Sequence, residues 1–85
     1  MDFNEKMEAK KVSEDEKFVV YRYGHLNSRK KMTGQLKITN SDLPSVSTVE
    51  LEEGYSTRVN EMRIGGKIIL EHMINGGWPE TVELV

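Results

Sequence analysis

One stretch of this sequence repeats its apolar residues with the period of a helix, and what precedes it reads as short strand runs. Across residues 58–75, Val59, Met62, Gly66, Ile69, Leu70, Met73 and Ile74 gather into one stripe at 100° per residue, with Asn60, Lys67, Glu71 and Asn75 away from it. Ser56 or Thr57 is the N-cap candidate, although neither is followed three residues later by the Glu or Gln of a capping box. Asn75-Gly76-Gly77 then offers residues tolerant of positive φ, and Pro79 forbids the helix to resume. The stripe is expected to pack on a sheet. Gly66 at its centre reads as a close approach to that sheet or to a large side chain such as Trp78. Trp78 itself is expected to close one end of the core.

The sheet comes from runs of β-branched and aromatic residues. Phe18, Val19, Val20, Tyr21 and Tyr23 predict a strand over 17–23, closed by Gly24. Residues 32–39 alternate, with Met32, Gly34, Leu36 and Ile38 on one face and Thr33, Gln35, Lys37 and Thr39 on the other. Residues 24–31 join the two as a basic hairpin loop. After the turn residues Asn40, Ser41 and Asp42, a third strand is expected over 47–52, and 81–85 is a short edge strand. Residues 1–17 hold helix formers with only Phe3, Met7 and Val12 as apolar anchors, too few for a stable isolated helix. The expected architecture is α+β: a small antiparallel sheet of three to four strands in the order β-β-β-α-β, with one main helix packed on one face. An N-terminal arm, helical or disordered, takes residues 1–16, and residues 17–85 form the single domain.

Composition removes most catalytic chemistries. The 85 residues include no cysteine, which excludes disulfides, thiolate zinc sites and thiol redox work. His25 and His72 have no second ligand at metal spacing, Glu71-His72 lacks the other histidine of H-E-x-x-H, and each reads as a solvated side chain. No serine stands in G-x-S-x-G, and Glu52-Glu53 point to opposite sides of a strand. Gly66-Lys67 fails as a P-loop, since Glu61 stands where the first glycine is needed and Ile68 where Ser or Thr is needed. A domain of this length buries about 60–65% of its unfolded surface, which leaves no room for a deep substrate cavity. The expectation is a protein that is not an enzyme and has neither cofactor nor metal. No apolar run reaches the roughly 18–20 residues of a membrane span, and residues 1–17 lack the apolar core of a signal peptide, so a cytoplasmic location is expected.

Charge and leftover apolar residues point instead to partners. The net charge of −2 conceals a segregation: residues 18–41 hold no acid, while residues 42–56 hold Asp42, Glu50, Glu52 and Glu53 and no Lys or Arg. The helical wheel sets Ile64 and Ile68 opposite the core stripe, one turn apart, with Glu61 and His72 beside them. Two stacked branched residues on an outer face call for a cover. Either the N-terminal segment lays Phe3 and Met7 across them, or another molecule does, giving a homodimer or a helix-mediated partner site. The leading expectation is a small non-enzymatic protein–protein interaction module binding through Ile64, Ile68 and His72 and through the hairpin residues Arg29, Lys30 and Lys31. The alternative is a single-stranded nucleic-acid module. There Tyr21 and Tyr23 would stack bases on the sheet's open face while Arg22, Lys37 and the basic loop met phosphates. Against it stand the missing RNP-like motif and a sequence isoelectric point near 5.7.

Overall fold

Asp15 turns the N-terminal part of the chain back on itself in the computed structural model, which describes residues 6–25, 32–51 and 58–84. Its Oδ1 accepts from the backbone N–H of Lys17 at 2.7 Å and of Phe18 at 2.8 Å, and its own N–H donates to the Phe18 carbonyl at 2.9 Å. This Asx turn sets β1 (Met7–Glu14) antiparallel beside β2 (Phe18–His25). Residues 7–14 are therefore a strand, not the helical or disordered arm their composition suggests. The helix preference of Glu, Lys and Ala over other residues is worth only a few tenths of a kcal/mol each. Against it, β1 is bonded along both edges, to β2 and to β5 (Thr81–Leu84), and buries Met7 and Ala9 completely. A bulge between Lys11 and Ser13 leaves Val12 outside the pairing and exposed.

β3 (Gly34–Thr39) and β4 (Val46–Glu50) complete a five-stranded antiparallel sheet in the order β4-β3-β2-β1-β5. The class is α+β, with more strands than the three or four expected because β1 belongs to the sheet. α1 (Arg58–Asn75) has the bounds its periodicity predicts, and carries the chain over one face from the β4 edge to the opposite β5 edge. The expected N-cap residues, Ser56 and Thr57, lie outside the described residues. The helix ends as the glycines predict: Gly76 takes φ +76° and its N–H donates to the His72 carbonyl at 2.9 Å.

The inward side of α1 is the reverse of what its apolar stripe predicts, and the inward side of β2 is the reverse of what the nucleic-acid alternative requires. Glu61, Ile64, Gly65 and Ile68 of α1 are buried against the sheet, while Val59, Met62, Leu70, Met73 and Ile74 lie 50–71% exposed. In β2, Val19, Tyr21 and Tyr23 point into the core opposite Ile38, Leu36 and Gly34, and Phe18, Val20 and Arg22 take the open face. Polar partners explain both choices. The Tyr21 hydroxyl donates to the Pro79 carbonyl at 2.6 Å and the Tyr23 hydroxyl to Glu61 Oε2 at 3.3 Å, both acceptors lying on the helix side of the sheet. Gly34 leaves the space that the Tyr23 ring occupies. Gly65, not Gly66, is the glycine that brings α1 close to the sheet: a Cβ there would lie 2.7 Å from Val46 Cγ2, whereas one at Gly66 meets none of the described residues within 4 Å outside its own helix.

Trp78 closes one end of the core. Its ring is 7% exposed and stacks on His72 with centroids 3.7 Å apart, and Nε1–H donates to Asn40 Oδ1 at 3.1 Å. Asn40 also donates from Nδ2 to the Asp15 carbonyl and from its backbone N–H to the Lys17 carbonyl, so the first turn, the end of β3 and the helix exit are tied together.

Two stability experiments follow from this packing. In Gly65→Ala, the overpacking cost of about 1–3 kcal/mol outweighs the ~1 kcal/mol that alanine contributes to a helix, and Val46→Ala in the same chain recovers part of the loss. Equal urea midpoints for wild type and Gly65→Ala would contradict the close approach. The two amide bonds to Asp15 hold its carboxyl below the ordinary 3.8. That contribution is present above the unfolded-state value and is lost as pH falls through the lower folded value. Asp15→Asn, which does not titrate, therefore loses less stability than wild type between about pH 4 and pH 2. Parallel stability curves for the two proteins would refute it.

Candidate interaction surface

The helix surface left to solvent is decided by what its other side must satisfy. Glu61 is fully buried, and Thr48 Oγ1 donates to its Oε1 at 2.5 Å while Tyr23 donates to its Oε2. A buried carboxyl without donors would cost several kcal/mol, so these two hydroxyls, from β4 and β2, fix the rotation of α1 about its axis. With Glu61 inward, 100° per residue turns Val59, Met62, Gly66, Leu70 and Met73 outward as one stripe along the helix, flanked by Ile74 and the partly buried Ile69. Leu43 and Val12 are also exposed, but singly on a turn and at a bulge, which is ordinary. The stripe is contiguous over the whole helix. At its N-terminal end Arg58, Val59, Met62 and Arg63 line a shallow groove.

The residues that the sequence offers as a partner site are distributed differently. Ile64 and Ile68 are fully buried in the core, in one cluster with Met7 of β1, so the sheet covers them and the expected fold-back over an outer helix face is not what buries them. Phe3 lies outside the described residues. His72 is half-buried and stacked on Trp78, and His25 is a buried end of β2; neither is the solvated side chain expected. Arg29, Lys30 and Lys31 lie outside the described residues.

The nucleic-acid platform is likewise rearranged. Tyr21 and Tyr23 are 0% and 1% exposed, so their rings offer no face to a base. Burial, and then the nearby carboxylates of Glu14, Glu80 and Glu71, push the Tyr21 phenol well above its ordinary 10.0. Arg22 and Lys37 do sit on the open sheet face, Lys37 with its ammonium 4.6 Å above the Phe18 ring.

Among the described residues no group of three or more His, Asp or Glu side chains could hold a metal ion, and no helix is long and apolar enough to cross a membrane. Compared with known proteins, the chain matches no family model, no curated protein and no solved structure. The exposed stripe was visible in the sequence as the α1 apolar stripe. What concealed its exposure was the carboxyl group on the opposite arc, which a hydrophobicity count places in solvent.

Glu61→Ala removes the acceptor shared by Tyr23 and Thr48 and leaves a cavity, and lowers stability by about 2–4 kcal/mol in chemical denaturation. Glu61→Gln, which keeps an oxygen and the volume, loses less. A Glu61→Ala protein as stable as Glu61→Gln would show that the two hydroxyls do not anchor the helix.

Proposed function

We propose that the chain is a small non-enzymatic protein–protein interaction module whose binding surface is the outer face of α1. One observation carries this reading: Val59, Met62, Leu70, Met73 and Ile74 together keep half or more of their surface in solvent along one helix face. Five neighbouring side chains of this kind present roughly 500 Å² of surface, near the upper end of the largest apolar patch on an ordinary monomer. Apolar burial at the stripe supplies the affinity, and Arg58 and Arg63 at its margin steer the approach of a complementary surface. The nucleic-acid reading has lost its stacking rings to the core, and no observation favours it over the helix face.

A photo-crosslinking residue in place of Leu70, in cells expressing the full chain, tests the reading against the same residue in place of Arg22 on the open sheet face. The expected result is protein adducts at position 70 that exceed those at position 22 and disappear with Met73→Asp. Equal adducts at both positions, or none at position 70, would overturn the proposal.

A further inference from the structure

The outer stripe of α1 is arranged about its own midpoint. Gly66 lies at the centre of the 18-residue helix, Met62 and Leu70 stand four residues to either side, and Val59 and Met73 stand seven. Resting on the interaction reading above, we infer that the partner of this surface is a second copy of the chain, its α1 antiparallel to the first and crossing it at Gly66.

A two-fold axis through such a crossing brings residue i of one helix level with the residue equally far beyond Gly66 in the other. Met62 then lies level with Leu70 of the second copy, and Val59 with its Met73. The wheel puts the members of each pair on opposite sides of the contact line, so they interlock instead of colliding. At the centre Gly66 meets Gly66. A mid-helix glycine costs about 1 kcal/mol relative to alanine, and among the described residues, its own helix aside, none lies within 4 Å of where its Cβ would be. The close approach of a second helix gives that position a use the single chain does not. A partner of unrelated sequence would require a stripe, but not one symmetric about a glycine.

Charge and area agree with this arrangement. The N-terminal half of α1 carries Arg58 and Arg63 beside the stripe. Antiparallel pairing keeps the two copies' Arg63 side chains about 9 Å apart along the axis, so these like charges do not face each other. It also sets Arg58 beside the second copy's helix C-terminus, where the helix dipole favours a cation. The groove between Arg58, Val59, Met62 and Arg63 comes level with the second copy's Met73 and Ile74, side chains able to fill it. Covering both stripes removes about 1,000 Å² in all, the lower bound for a specific interface.

The chain contains no cysteine, which allows a direct test by introduced thiols. Val59→Cys and Met73→Cys proteins, mixed and oxidised, should form a mixed disulfide dimer, whereas Val59→Cys alone should not, its two thiols lying about 21 Å apart along the axis. Sedimentation of the wild-type chain should show a concentration-dependent dimer. Gly66→Ala should weaken it about tenfold or more while raising the thermal midpoint of the monomer, and Leu70→Glu should abolish it with the far-ultraviolet dichroism unchanged. A disulfide from Val59→Cys alone, or a dimer indifferent to Gly66→Ala and Leu70→Glu, would overturn the antiparallel pairing. A wild-type chain that stays monomeric at high concentration, while position 70 still crosslinks to a different protein, would overturn self-association and leave the interaction module standing. A monomer with no adducts at position 70 would overturn both.

Discussion

Glu61 brings two carboxyl oxygens into the layer between helix and sheet, where water does not reach, and each oxygen has to find a donor there. Thr48 on β4 and Tyr23 on β2 supply them, so one side chain ties the helix to two strands separated by β3. Rotating α1 by half a turn would bury more apolar surface and strand this carboxyl's two donors. The helix keeps the rotation that satisfies the polar groups, and its larger apolar arc is left outside. The tyrosines of β2 obey the same rule, since both hydroxyls find acceptors on the helix side. The packing of this small protein is set by a few polar atoms as much as by the count of apolar ones.

This explains what could and could not be read from the sequence. The bounds of α1 were legible, because its period, Gly76 and Pro79 are local signals. Its orientation was not, because a hydrophobic wheel cannot know that Glu61 has partners waiting on two strands. Phe18, Val20, Tyr21 and Tyr23 make β2 apolar on both sides, and alternation alone cannot choose between them. β1 was hidden for a different reason. Glu8, Ala9, Lys10 and Lys11 prefer a helix locally, and only neighbours on both edges, β5 brought by residues some seventy positions away, make them a strand. The apolar stripe points to Gly66 as the close approach, and only the structure shows that its neighbour Gly65 is the one against Val46, while Gly66 meets none of the described residues outside its own helix.

The two outward surfaces of the domain differ in kind. On the open face of the sheet, Glu8 and Lys10 of β1 stand near Arg22 of β2 and Gln35 and Lys37 of β3, charges of both signs set around the half-buried Phe18 and Val20. The outer face of α1 has its charges at the margins and methionine, leucine and valine in the middle. The apolar residues that the sequence seemed to hold in excess are concentrated on the second surface.

The place of β1 bears on how the fold is reached. Although it is the first described strand, it is flanked by the last described one, so its second edge stays unpaired until Thr81–Leu84 has been made. As the chain leaves the ribosome, β1 to β4 can form hairpins, yet the edge beside Met7 and Ala9 remains an open template for other strands. β5 follows α1 and Trp78 in the chain, so the strand that closes this edge is made after both. Any shortened product that stops within the helix would keep that edge bare and would be prone to pair with its neighbours rather than with itself.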